Sequence, residues 1–221
     1  MKNLFLFTKN IWNYGITIFF KIIYFEIFYT FKNLDFKSLR YEESQNDSYD
    51  LTKKNKNYNT PYIPTPYFFL KIIKNFFIQN NIKNILFIDI GCGYSRSQIF
   101  FNDFLSFFIG FDYNLKIIND LKKRKIKNTK FYHKNLREKK SIDLLIQKIS
   151  EFKNDNEIVV FFSDSFDLQL LKEIIKKLDK RFKFYCILIN LKNKDFYKKK
   201  QKYIFSKVFQ NKKRNIFIAK Y

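Results

Sequence analysis

The residues best suited to chemistry lie in the stretch ILFIDIGCGYSRSQIFF, residues 85–101. An apolar run ends at Asp89, glycines follow at Gly91 and Gly93, and the pattern predicts a helix after Ser95. Glycines at a strand–helix turn let the backbone approach a ligand closely, and the free N–H groups at the helix start favour an anionic group. The stretch therefore predicts a ligand site built on this turn.

The residues present argue against two common ligands of such a turn. A phosphate-binding P-loop ends in Gly-Lys-Ser/Thr, and this stretch has no such ending. The dinucleotide fingerprint needs glycine at its first, third and sixth positions, but the sixth position here is Arg96. Because that glycine lets the helix pack closely on the strand, arginine argues against NAD or FAD.

The elements that must position this turn follow from alternating strand-like and helix-like runs. Predicted strands cover 84–90, 107–112, 129–133, 157–163 and 182–190, and predicted helices cover 66–80, the residues after 95, 115–125, 141–152, 166–178 and 194–202. The alternation indicates an α/β fold with a doubly wound, mostly parallel sheet and helices on both faces. The last two runs, 203–210 and 215–221, are joined by too few residues for a crossover helix. They predict a C-terminal antiparallel hairpin and a seven-stranded sheet.

Ahead of a domain at residues 58–221, residues 1–57 are predicted to form an amphipathic helix and a polar loop. Residues 4–31 are densely apolar, and their longest uncharged run is too short to span a bilayer. Polar side chains recur there at steps of three and four: Asn10, Asn13, Thr17, Lys21 and Tyr24. We expect the apolar face to pack on the protein's own domain or a second subunit. Peripheral contact with a membrane surface is the alternative.

The net charge of +23 suggests nucleic acid or an anionic membrane as a partner. Only six of the 43 basic residues are Arg, however, and Lys, Asn, Ile, Phe and Tyr are all abundant. This usage favours the mutational bias of an AT-rich genome as the source of most of the charge. The two cysteines and the single histidine, His133, have no metal-ligand spacing, so we expect no metal, a structural His133 and a reduced cytoplasmic compartment.

The sequence resembles the class I S-adenosylmethionine-dependent methyltransferases. Their first motif is an acid, any residue, then Gly-x-Gly, and DIGCG at residues 89–93 matches it. The second marker is an acid that closes the second strand and accepts hydrogen bonds from both ribose hydroxyls; FIGFD ends in Asp112. The resemblance implies S-adenosyl-L-methionine as cofactor, bound around the glycine turn and the neighbouring strand ends by Asp89, Gly91, Cys92, Gly93, Asp112, Tyr113 and Asn135.

The resemblance is greatest to a bacterial group with Y-x-Pro-Thr-Pro-Tyr and Asp-x-Gly-x-Gly-x-Gly-Arg motifs. The matching YIPTPY implies that Tyr62 and Thr65 lie over the cofactor as a lid, and Thr65 is also expected to cap a helix that starts at Pro66. Ser95 replaces the last glycine and is expected to cap the next helix. Arg96 is expected either to reach the cofactor carboxylate or to be solvated at the helix start.

The fourth strand is followed by Asp164, Ser165 and Phe166 where the group has Asn-Pro-Phe. The resemblance implies that Asp164 and Phe166 face the methyl acceptor as catalytic residues, while an N-cap role is the alternative for Asp164. The implied reaction transfers a methyl group to an unidentified small molecule, lipid or glycan. The alternatives are an RNA or protein acceptor and a non-catalytic module that retains the fold.

Overall fold

The computed structural model describes residues 14–34, 64–162, 168–190, 203–210 and 214–221. The described helices are α1 Ile16–Asn33, α2 Tyr67–Gln79, α3 Arg96–Phe101, α4 Leu115–Lys123, α5 Lys139–Phe152 and α6 Leu168–Asp179, with a short 3₁₀ turn at Asn102–Phe104. The strands are β1 Ile85–Ile90, β2 Leu105–Asp112, β3 Thr129–His133, β4 Glu157–Phe162, β5 Tyr185–Ile189, β6 Tyr203–Val208 and β7 Asn215–Lys220. The predicted helix at 194–202 lies outside these residues.

The seven strands form one sheet in the order β3-β2-β1-β4-β5-β7-β6. β1 to β5 pair in parallel, while β7 runs antiparallel between β5 and β6. The predicted fold class, including the C-terminal antiparallel hairpin, is confirmed. The chain turns from one side of the sheet to the other between β1 and β4, and the carboxyl ends of strands at such a switch point are where α/β sheets bind ligands.

The two faces of the sheet are filled with different side chains. On the side covered by α1 to α4, which we call the aromatic face, the core is rich in Phe and Tyr, including Phe87 and Phe108 on the central strands. On the side covered by α5 and α6, which we call the aliphatic face, the core is mainly Ile, Leu and Val. Because successive strand residues point to opposite faces, Asp89 and Asp112 share the aromatic face with Phe87 and Phe108.

Helix α1 packs on the aromatic face through one side. Ile18, Ile22, Phe25 and Tyr29 pack against that core, and the Tyr29 ring meets the Phe100 ring of α3 edge-on at 4.8 Å between centroids. The predicted polar stripe is exposed at the positions that the structure describes, Thr17, Lys21 and Tyr24. No helix of the described part of the chain is both long enough and apolar enough to cross a bilayer.

Helix α2 begins differently from the prediction. Pro66 is the N-cap rather than the first helical residue, and no side chain caps the helix from that position, so the predicted Thr65 cap is wrong. The first helical N–H, that of Tyr67, instead donates to Glu26 Oε1 of α1 at 2.7 Å. A carboxylate at a helix N-terminus also interacts favourably with the helix dipole, so Glu26 replaces a local cap.

Candidate functional site

The glycine turn leaves β1 and bends back over the end of β2. Gly91 and Gly93 have φ values of 77° and 48°, the left-handed region in which glycine has no steric penalty. The N–H groups of Gly91 and Cys92 donate to the carbonyl of Phe111, at 2.8 and 3.0 Å. The turn is therefore hydrogen-bonded to the neighbouring strand, and its backbone has the conformation that the sequence pattern indicates.

Asp112 closes β2 and ties the two strand ends together. Its Oδ2 accepts a hydrogen bond from Gly93 N–H at 2.9 Å, and its Oδ1 accepts one from Asn114 N–H at 2.8 Å. The side chain is almost completely buried. A carboxylate has about four acceptor sites, and Tyr113 N–H also acts on this one, so Asp112 can accept a further hydrogen bond from a ligand while its orientation stays fixed.

Asp89 lies in register with Gly110 on β2 and is also buried. Its Oδ2 accepts a hydrogen bond from the Ser97 hydroxyl, at the first turn of α3. Its Oδ1 has no hydrogen-bond partner among the described residues. A buried oxygen without a partner is costly, and such an atom at a strand end indicates a place for a ligand donor.

The two carboxylates are electrostatically coupled. Burial raises the pKa of Asp89 to about 7, the Ser97 hydrogen bond opposes the shift, and the charge of Asp112 adds to it. Burial also raises the pKa of Asp112, against the opposing effect of the backbone N–H groups and of His133. Within the described residues, neither carboxylate forms a salt bridge. In a chain of net charge +23, this crevice is acidic.

Gly110 makes room at the base of the crevice. A Cβ at this position would lie 2.8 Å from the Phe131 ring and 2.9 Å from Cys92 Sγ. Cys92 is buried beneath the turn, and burial raises the pKa of its thiol well above its usual value. The thiol therefore stays protonated and acts as a packing group rather than a nucleophile.

Arg96, the first residue of α3, is held by the N-terminal helix. Its Nη1 donates to Glu26 Oε2 at 2.7 Å and to the Thr65 carbonyl at 3.2 Å, and its guanidinium lies over the Tyr67 ring at 4.5 Å from the centroid. The side chain is only 3% exposed, so the alternative of a solvated helix-start residue is wrong. One carboxylate, that of Glu26, thus joins the starts of α2 and α3.

Ser95 departs from its expected role. It has φ 64°, in the left-handed region, and its side chain makes no cap hydrogen bond to α3. Its buried hydroxyl has no partner among the described residues. The predicted Ser95 cap is therefore wrong, and the residue occupies a conformation in which glycine would be less strained.

The remaining predicted site residues lie further out or outside the described residues. Tyr113 and Asn135 are exposed, and Asn135 Oδ1 accepts from Arg137 N–H at 3.1 Å. His133 Nε2 donates to the Tyr113 carbonyl at 2.7 Å, a structural use of the ring. Tyr62, Asp164 and Phe166 lie outside the described residues, so their assignments stay predictions.

Sequence reasoning missed two residues of the site. Glu26 gives no local signal, because its partner Arg96 is 70 residues away and no short-range pattern links them. Ser97 had a weak signal, since it lies eight residues after Asp89, where the first turn of α3 folds back over the strand end.

No family model matches the sequence, and no curated protein matches it. Among solved structures, it is similar to a Streptococcus mutans protein provisionally described as a methyltransferase, in complex with SAH (17% identity, 72% of this chain, 100% of that chain, TM-score 0.49). A protein of the NADB-Rossmann superfamily from Streptococcus agalactiae is also similar (15% identity, 69% of this chain, 67% of that chain, TM-score 0.49). M. capricolum TrmK in complex with S-adenosyl-homocysteine is similar as well (14% identity, 72% of this chain, 68% of that chain, TM-score 0.46). Values this low establish no shared activity.

Proposed function

We propose that the protein transfers a methyl group from S-adenosyl-L-methionine, bound at the carboxyl ends of β1 and β2. The observation that carries the proposal is the pair of buried carboxylates, Asp89 and Asp112, which have no salt-bridge partner within the described residues. A pyrophosphate would be repelled by these acids, whereas this cofactor carries a net positive charge. An acidic crevice beside a glycine turn therefore favours a cationic nucleoside over a dinucleotide.

The residues present fit the cofactor in three respects. Asp112 is an acceptor for the ribose hydroxyls, and Gly93 N–H fixes its carboxylate. Asp89 Oδ1, which has no hydrogen-bond partner in the described part of the chain, can accept from a cationic amino group, and that contact would lower the pKa of Asp89 from about 7. Gly91 and Gly93 have positive φ values, which suit glycine, and the turn therefore has no Cβ atoms at these positions, where a ligand approaches.

When bound, the cofactor supplies a methyl group already activated on a sulfonium. The chain's own residues bind and orient: Asp112 fixes the sugar, and the turn and Asp89 fix the amino-acid end. Holding the two reactants in line and excluding water supply the main catalytic effects. No general base is needed unless the acceptor must lose a proton, and Asp164 and Phe166 are proposed to face that acceptor.

Isothermal titration calorimetry with S-adenosylhomocysteine tests the cofactor assignment. We expect Asp112→Ala to weaken binding by about 3 kcal/mol, roughly two powers of ten, because hydrogen bonds to a charged acceptor are lost. Asp120→Ala on α4 is the matched control, since it removes the same charge from a residue whose recorded partner is Lys123. Equal affinities for the two variants would refute the ribose assignment.

The acceptor is tested by incubating cell extract with methyl-labelled cofactor and fractionating the label. We propose a small molecule, lipid or glycan, with RNA or protein as the alternative that the net charge of +23 favours. Label in RNA or protein would replace the first choice by the second. Cofactor binding without label transfer to any fraction would identify a non-catalytic module.

A further inference from the structure

The outer side of α1 carries a row of large apolar side chains that are exposed to solvent. Phe20 is 56% exposed, Phe31 is 64% exposed and Leu34, just past the helix end, is 77% exposed. The other exposed apolar residues of this side are Ile16, Tyr24, Ile27 and Phe28. Single exposed apolar residues are ordinary on protein surfaces, but a contiguous set on one element marks an interaction site.

The spacing makes this set a continuous stripe. Phe20, Tyr24, Ile27, Phe31 and Leu34 follow one another at steps of four and three, which places them on one side of a helix. An 18-residue helix is about 27 Å long, so the stripe runs along most of that length. We call these residues, with Ile16 and Phe28, the outer stripe.

On the exposed side of α1, as far as the structure describes it, the charged side chains are both basic. Lys21 and Lys32 border the outer stripe and are exposed, whereas Lys74 of the neighbouring helix α2 is paired with Asp103 at 3.6 Å. The one acid of the two helices, Glu26, points inward, where its oxygens accept from Tyr67 N–H and Arg96. An apolar stripe bordered by lysines complements the chemistry of an anionic lipid surface.

We propose that the outer stripe is a docking surface for an anionic lipid bilayer. α1 would lie in the plane of the interface, with its aromatic side chains at the boundary between headgroups and acyl chains and its lysines at the headgroups. A second copy of the chain is a less favourable occupant, because each copy carries a net charge of +23 and association would bring the lysines of both stripes together.

The inner side of the same helix connects the outer stripe to the crevice. Glu26, which faces away from the outer stripe, holds both Arg96 at the start of α3 and the first N–H of α2. A bilayer bound to α1 would therefore lie on an element that directly supports the glycine turn. The docking proposal goes beyond methyl transfer and requires neither cofactor nor acceptor.

Flotation of the full chain with lipid vesicles tests the proposal. We expect binding to vesicles of phosphatidylcholine with phosphatidylglycerol, much weaker binding to phosphatidylcholine alone, and loss of binding in high salt. The double variant Phe20→Ser/Ile27→Ser should bind about a hundredfold more weakly, since two apolar side chains no longer leave water. Its matched control is Ile204→Ser/Val208→Ser on the edge strand β6, where both residues are also exposed.

A second pair of variants tests the charges separately. Lys21→Glu/Lys32→Glu should weaken binding to anionic vesicles by at least about tenfold, and Lys176→Glu/Lys180→Glu on the far side of the molecule should change it little. Circular dichroism verifies that each variant is folded.

Three outcomes would overturn the proposal. The first is no binding of the wild-type chain to anionic vesicles. The second is equal loss in the stripe variants and their controls. The third is a wild-type dimer in analytical ultracentrifugation that Phe20→Ser/Ile27→Ser converts to a monomer without any change in lipid binding, which would assign the stripe to a second copy.

Discussion

Both faces of the sheet are covered by helices, but the side chains buried on the two faces serve different purposes. The aliphatic face, under α5 and α6, is filled mainly by Ile, Leu and Val. The aromatic face contains every buried charge of the described residues, namely Asp89, Arg96 and Asp112, beside rings such as Phe87 and Phe108. Within the described residues, one face therefore buries no charged side chain, while the other also holds groups that are expensive to bury.

The comparison shows that features which lower stability lie around the crevice on the aromatic face. On the aromatic face, Asp89 has an oxygen with no partner among the residues that the structure describes, Ser95 has a left-handed backbone, and Arg96 is paired with a carboxylate from a distant helix. Destabilising features that gather around one crevice are typical of functional sites.

The largest expected effect comes from removing one partner of the buried ion pair. Glu26→Ala leaves the Arg96 guanidinium buried without its carboxylate, so we expect the free energy of unfolding to fall by about 3–4 kcal/mol. Glu173→Ala on the aliphatic side makes the same chemical change, but its pair with Lys177 is exposed, and the expected loss is about 0.5 kcal/mol or less. Urea unfolding measures both.

A double variant sharpens this contrast. Replacing Arg96 by Met in the Glu26→Ala background removes the buried cation that has lost this carboxylate, so part of the lost stability should return. If Glu26→Ala were no more destabilising than Glu173→Ala, the two faces would not differ in how strongly their ion pairs stabilise the fold.

The next effect concerns pH and Asp89. The pKa of this carboxyl is about 7 in the folded chain and about 4 in the unfolded chain, so only the unfolded state releases the proton between these values. Its stabilising contribution is complete below about pH 4 and is lost as the pH rises to 7. We therefore expect the stability of Asp89→Asn relative to wild type to increase by about 2 kcal/mol from pH 5 to pH 7.

Urea unfolding across this pH range measures the difference, and Asp103→Asn is the control because that carboxylate is 79% exposed. The same Asp89→Asn variant should bind S-adenosylmethionine more weakly, since the acceptor for its amino group loses its charge. A parallel pH dependence for the two variants would contradict the raised pKa.

The smallest expected effect distinguishes two serines of the same helix start. Ser95→Gly relieves the left-handed conformation and removes a buried hydroxyl without a partner, so we expect a gain of about 1 kcal/mol in the free energy of unfolding. Ser97→Gly removes the hydrogen bond to Asp89 and should instead lose about 1–2 kcal/mol. Thermal unfolding shows both, and a loss for Ser95→Gly would mean that the strain is absent.

Local patterns were sufficient to predict most of the fold. The β1 strand, the α5 and α6 helices and the closing hairpin follow from short-range periodicity and turn lengths, and the structure has them near the predicted bounds. Thr65 was a wrong cap because the acceptor comes from Glu26 on another helix, a contact over 41 residues. The Ser95 cap was predicted from a side-chain type that suits capping. The prediction is wrong because the Ser95 backbone is left-handed, which composition does not reveal.

The ion pair between Glu26 and Arg96 has a consequence for synthesis of the chain on the ribosome. At ordinary rates of about 5–20 residues per second, Arg96 is made roughly 3 to 14 seconds after Glu26. During that interval α1 exists without α3, and α2 is complete only after Gln79 has been made, so the inner apolar side of α1 lacks its full set of partners. Both apolar sides of α1 are therefore made before the glycine turn and before the Arg96 side chain that Glu26 will hold.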